Sequence, residues 1–170
     1  MGNGADSNID MGPMNNQKTL NKVISLVKDA KNKGAHCLIG GEVIKENTLY
    51  FPPTILINVN ASMRLYHEEI FGPVAPCYTF KTEHDAIQIA NDTEYGLSAY
   101  CYTEDPALAM RMARSIEAGT VNINVNGSFA GGPFGGFKQS GLGREGGVIN
   151  TLDHFLETKT IALQLSANKI

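Results

Sequence analysis

Two adjacent carboxylates, three cysteines, a serine in a glycine-rich stretch and a G-x-G-x-x-G hexapeptide are the features whose residue types and spacing could do chemistry. Glu68 and Glu69 begin the run Glu68-Glu-Ile-Phe-Gly-Pro73, just ahead of an apolar segment. In an extended backbone neighbouring side chains point to opposite faces, so at most one of the pair faces a given cleft. Such a carboxylate could accept hydrogen bonds from sugar hydroxyls, with Phe71 as an apolar floor and Gly72-Pro73 setting the chain direction. The plainer reading is two solvated acids ahead of a strand, and spacing alone favours it because surface carboxylates are common.

A cysteine nucleophile needs an electropositive setting, often a helix N-terminus. Cys37, Cys77 and Cys101 all sit in strand-like apolar runs, which reads as buried small hydrophobes. They form no C-x-x-C pair and share no ligand-like spacing with the four histidines, so neither a metal site nor a disulfide framework is expected. Ser128 lacks the G-x-S-x-G turn of a hydrolase nucleophile and reads, by itself, as a loop hydroxyl. The hexapeptide Gly141-Leu-Gly-Arg-Glu-Gly146 matches a dinucleotide fingerprint literally. The fingerprint needs a strand before it and a helix, a second strand and an acid after it. Here a polar Phe137-Lys-Gln-Ser stretch precedes it and too few residues follow, so the match is a decoy.

The elements that position these residues can be read from periodicity. Residues 1–13 form a polar loop ending in Gly12-Pro13. Leu20, Val23, Ile24, Val27 and Ala30 recur at helical steps, with Gly34 as terminator. Short β-type runs follow at 37–39, 54–59 and 74–80. Thr82-Glu-His-Asp85 resembles a helix N-cap with an acid three residues on, and Asp105-Pro106 pairs an N-cap with proline at the first helical position. The middle of the chain then alternates strand and helix: 74–80, 83–94, 97–102, 106–118 and 121–125. Short connections in that order predict an α/β layer, a mostly parallel sheet with crossover helices. A short helix at 148–155 and a final strand at 158–163 complete the pattern. Nine of the 18 glycines fall between Gly127 and Gly147. Such a stretch has no rationale as helix or strand, and reads as a loop whose backbone approaches something closely.

Composition narrows the classes. The 170 residues are 42% hydrophobic and 18% charged, enough for a core, and the formal net charge of −3 without a run of like charge as long as about five residues excludes a nucleic-acid footprint. No apolar stretch approaches the roughly 20 residues that span a bilayer, and residues 1–10 carry no signal-peptide pattern. A soluble protein of the reducing cytoplasm is expected, with no nucleic-acid or membrane partner.

The motifs say more in combination. Met11-Gly-Pro, Glu68-Glu-Ile-Phe-Gly-Pro-Val74, Asn91-Asp-Thr-Glu-Tyr-Gly-Leu97 and Pro133-Phe-Gly-Gly-Phe-Lys-Gln-Ser-Gly-Leu-Gly-Arg-Glu-Gly146 occur in this order. Together they resemble the C-terminal third of the NAD(P)-dependent aldehyde dehydrogenase superfamily, from about Gly2 to Leu163. The tail of the last motif, and Ser128 five residues before Pro133, resemble the succinate-semialdehyde branch.

The resemblance implies roles that spacing did not. Glu69, the second acid, matches the residue that binds the nicotinamide ribose, and Phe71 the aromatic beside the same ribose. Phe134 matches a residue of the substrate tunnel, and Ser128 a position that touches the substrate carboxylate. Thr158 to Leu163 resembles the oligomerisation strand, which implies a homo-oligomeric parent. Residues 1–147 then correspond to the C-terminal part of the catalytic domain and 148–170 to a tail with that strand. In the family a cysteine thiolate attacks the aldehyde, hydride passes to NAD or NADP, and a glutamate base assists hydrolysis of the thioester. That nucleophile lies in a Phe-x-x-x-Gly-Gln-x-Cys context, which no stretch of this chain matches, so no catalytic residue is assigned here. The expectation is a portion of an aldehyde dehydrogenase that is inactive alone and needs the N-terminal part of the enzyme as partner. The alternatives are a regulatory module that associates with a full-length homologue, and a small nucleotide-binding domain, which the context of the hexapeptide disfavours.

Overall fold

A computed structural model describes residues 1–44, 48–127 and 131–164. Two compact units divide the chain, Met1–Asp85 and Ala86–Ile170.

In the first unit, residues 1–16 hold no helix or strand, as their polar composition predicts. Helix α1 (Gln17–Asn32) starts where the Asn16 side chain accepts a hydrogen bond from the Thr19 amide at 2.9 Å. It stops at Lys33, followed by Gly34 at φ +100°. Its apolar stripe, Leu20, Val23, Leu26, Val27 and Ala30, is buried against Phe51, Leu56, Met63 and Leu65. Those side chains are the core of the unit. Strands β1 (His36–Ile39), β2 (Thr54–Ile57) and β3 (Val74–Pro76) form one sheet in that order, β1 antiparallel and β3 parallel to β2. The short helix α2 (Arg64–His67) lies on the crossover from β2 to β3.

Helix α3 (Glu83–Asn91) opens with a reciprocal capping box: the Asp85 amide donates to Thr82 Oγ1 and the Thr82 amide to Asp85 Oδ2, both at 3.1 Å. In the second unit, β4 (Tyr95–Gly96) precedes β5 (Ser98–Cys101), which runs parallel to β6 (Thr120–Ile123) with α4 (Pro106–Ser115) as crossover. Asp105 caps α4 by accepting from the Ala107 amide at 2.8 Å. The two-residue β7 (Phe137–Lys138) pairs antiparallel with β4, and α5 (Val148–Asp153) follows.

Several expectations change. The sheet is not mostly parallel: among the described strands two pairs are parallel and two antiparallel, divided among three small sheets. Hairpin-like pairings such as β1–β2 come from loop geometry, which hydrophobic runs do not encode. Helix α4 ends at Ser115 rather than 118. Residues 158–163 form no strand and are exposed along their length. No described helix is long and apolar enough to cross a membrane.

Candidate functional site

The first group of candidate residues lies in the turn between α2 and β3. Glu68 ends α2, its amide donating to the Arg64 carbonyl at 2.9 Å. Its carboxylate is held by the Arg64 guanidinium, Nε to Oε1 at 2.7 Å and Nη2 to Oε2 at 3.1 Å. The hydrogen bonds from Arg64 hold the Glu68 carboxyl below its ordinary pKa. Glu69 differs in kind. It is exposed, its backbone carbonyl accepts from Lys22 Nζ, and its carboxylate has no partner among the described residues. One acid is thus engaged and its neighbour is available, although neither lies in a strand.

Phe71 follows with 73% of its surface exposed and φ at +49°. A left-handed backbone is uncommon for an aromatic residue and persists only where the surroundings impose it. The imposition is visible next door. A Cβ on Gly72 would lie 2.6 Å from Val23 Cγ2, so the turn is seated directly on α1. The Val74 amide donates to the Gly72 carbonyl and the Thr54 amide to the Pro73 carbonyl, both at 2.8 Å. Fold and turn together hold a free carboxylate and a bare aromatic ring two residues apart. This pair can offer an anionic acceptor to hydroxyls beside an apolar surface.

The second group belongs to the second unit. Phe134 and Glu145 exchange backbone hydrogen bonds of 2.6 and 2.7 Å, closing the glycine-rich segment into a hairpin-like loop. A cleft of about 280 Å³ lies along it, lined by Leu97, Phe134, Ser140, Arg144 and several glycines. Arg144 is spent on structure: Nη1 donates to the Gly136 carbonyl at 3.0 Å and the guanidinium covers the Phe137 ring at 5.2 Å. The dinucleotide reading of Gly141–Gly146 gains nothing: only the two-residue, antiparallel β7 precedes it, and no described strand follows α5 to complete the parallel unit that the fingerprint demands. Ser128 lies outside the described residues.

The larger hollow, about 380 Å³ beside Lys28, Lys31, Glu42 and Phe51, holds none of the expected residues. All three cysteines are free thiols; Cys37 and Cys101 are half-buried, and Cys77, expected to be buried, is exposed just past the end of β3. No described helix begins at any of them, so none has the setting of an activated thiolate. Among the described residues no cluster of His, Cys, Asp or Glu could hold a metal ion. Sequence reasoning missed Asn91 and Lys138, whose hydrogen bonds brace the glycine-rich loop; the only trace of them was membership of two of the four motifs.

The family model described as "Aldehyde dehydrogenase family" matches residues 1–161. Succinate semialdehyde dehydrogenase of Acinetobacter baylyi is 43% identical over 162 residues, covering 94% of this chain and 33% of that protein. The crystal structure of succinate-semialdehyde dehydrogenase from Burkholderia pseudomallei superposes with a TM-score of 0.82 at 43% identity, over 86% of this chain and 30% of that one. Betaine aldehyde dehydrogenase from Staphylococcus aureus, crystallised in complex with NAD+, gives a TM-score of 0.84 at 38% identity, over 97% of this chain and 34% of that one. The chain spans about a third of the length of the curated relatives it matches.

Proposed function

Because this chain belongs to the aldehyde dehydrogenase family, we propose that it supplies the C-terminal third of an enzyme that oxidises an aldehyde to a carboxylic acid with NAD or NADP. The observation that carries the reading is the turn holding Glu69 and Phe71: an exposed carboxylate without a partner beside an exposed aromatic ring. A ribose offers vicinal hydroxyl donors and a flat apolar face, and this pair suits both. When bound, the nicotinamide cofactor accepts the hydride. Glu69 accepts hydrogen bonds from the ribose hydroxyls and fixes the orientation of the sugar, while Phe71 packs beside it and excludes water. Phe134 and Ser128 contribute to the wall that receives the aldehyde. The semialdehyde named for the most similar curated relatives supports a substrate with a carboxylate of its own.

The nucleophile and the base come, in this reading, from the N-terminal part of the enzyme, so the chain alone is inactive. Residues 1–147 form the C-terminal part of the catalytic domain and 148–170 a tail whose segment 158–163 pairs with another subunit. Three free thiols support a reducing compartment, the cytoplasm. The exposed Ile161 and Leu163 also support a second reading, a module that associates with a full-length homologue.

Co-expression with a matching N-terminal part, followed by assay of nicotinamide reduction with short aldehydes, tests the proposal. Turnover is expected in the pair and not in this chain alone. Hydrogen bonds to an ionised acceptor contribute about 1.5–3 kcal/mol, so Glu69→Gln should lower turnover roughly tenfold or more. Glu68→Gln is the control, since that carboxylate is turned to Arg64. Equal damage from both substitutions, or none from Glu69→Gln, would remove Glu69 from the site.

A further inference from the structure

Lys138 adopts φ +52°, a left-handed conformation rare for a residue with a Cβ. Its ammonium has three donors and three acceptors around it. It donates to the Asn91 carbonyl at 2.8 Å and the Thr93 carbonyl at 3.1 Å, and pairs with Glu117 Oε2 at 2.6 Å. These partners come from different places: Asn91 and Thr93 from the end of α3, Glu117 from the turn after α4. The Asn91 side chain ties those two ends to each other. Its Nδ2 donates to the Ser115 carbonyl at 2.8 Å, and its Oδ1 accepts from the Glu117 amide at 2.8 Å. Beside Lys138, the Gln139 amide donates to the Glu94 carbonyl and the Gly96 amide to Ser140 Oγ, both at 2.9 Å.

Phe134 stands four residues upstream, separated from Lys138 by Gly135, Gly136 and Phe137. Two consecutive glycines have no stiffness of their own, so nothing local fixes where the Phe134 ring sits. Its position must be imposed by contacts beyond its chain neighbours. Three contacts do this: the Phe134–Glu145 bridge at one end, Arg144 Nη1 on the Gly136 carbonyl between, and the Lys138 knot at the other. Between them the Gly135 carbonyl lies against Gly119, where a Cβ would come within 1.7 Å of that oxygen. The loop is therefore pinned by contacts that a cation organises.

We propose that Lys138 is a positioning residue for the substrate wall: its ammonium locks the glycine-rich hairpin, fixes Phe134, and thereby sets which aldehydes the site accepts. This rests on the reading of Phe134 as part of that wall. Lys138 touches neither substrate nor cofactor in this scheme.

Lys138→Met keeps the stem and removes the charge; Lys138→Arg keeps the charge. In the 170-residue chain, Lys138→Met is expected to speed amide exchange about tenfold or more at Phe134, Gln139, Ser140 and Glu145, leaving Leu26 and Val27 unchanged. Lys138→Arg should stay near wild type. In the enzyme reconstituted with its N-terminal part, Lys138→Met should raise the KM for aldehyde about tenfold and flatten preference among aldehydes, with kcat and the cofactor KM within about twofold. Lys138→Arg should restore the KM. Unchanged exchange in Lys138→Met overturns the anchoring, and a loosened hairpin with an unchanged aldehyde KM overturns the positioning role. If wild-type reconstitution gives no turnover, the functional reading has failed, and the exchange comparison still decides whether Lys138 anchors the loop.

Discussion

Arg64 organises the charges on its side of the first unit. Its side chain clamps Glu68, and its amide donates to Asp29 Oδ2 at 2.9 Å, while Lys33 reaches Asp29 at 2.9 Å from the other side. The Arg64 amide and then Lys33 lower the pKa of Asp29; Arg64 lowers that of Glu68; hydrogen bonds from Thr82 lower that of Asp85. A carboxyl whose pKa is lowered on folding adds stability above its unfolded value and loses it as pH falls through the folded value. The melting temperature should therefore be flat from about pH 7 to 5 and fall below about pH 4, near the unfolded carboxyl values. Asp29→Asn should shrink that acid-side drop. All three groups are half-buried and still reached by solvent, so the effect is modest, and differential scanning calorimetry across the pH series reads it.

At the scale of elements, stability rests on α1 and on caps. Leu26 is fully buried, and Leu26→Ala should cost about 2–5 kcal/mol in chemical denaturation. Asp105→Ala removes the cap of α4 and should cost about 1 kcal/mol. The same features explain what could be read from sequence. α1, α3 and α4 were legible because their stripes and caps lie within a few residues of each other. Sheet pairing was not, since Gly40, Gly41 and the Thr54 hydroxyl shape the β1–β2 connection through contacts a pattern does not show: a Cβ on Gly40 would lie 2.3 Å from the Pro53 carbonyl oxygen. β7 was missed because two residues, Phe137 and Lys138, carry no periodicity. In the site, the choice of Glu69 over Glu68 came from the family resemblance. The residues alone suggested only that the two diverge, and Arg64 is the physical reason they do.

Across the whole molecule burial is uneven. Nearly all buried hydrophobic residues belong to the first unit; Ala109 is the one buried hydrophobic residue described in the second. The β5–β6 pair is parallel, a kind of sheet that is ordinarily covered on both faces, yet Tyr100 is 54% exposed. Phe155, Leu156, Ile161 and Leu163 are more exposed still. Such surface is expected to drive self-association, visible in sedimentation velocity as species heavier than a monomer. Deleting residues 156–170 should reduce it, and a chain that stays monomeric at high concentration would count against the expectation. The ladders also differ in how far along the chain they reach. His36 pairs with Ile57, Thr54 with Val74 and Ser98 with Thr120, whereas Tyr95 pairs with Lys138, at roughly twice the separation. Closing the longer loop costs more entropy before any contact rewards it, so β4–β7 is expected to join late. Weakening it at Lys138 should then speed unfolding and leave the folding rate nearly untouched. On a chain emerging from the ribosome, the ladder beside Phe134 is then expected to be the last of these four to close, and under stress the first to open.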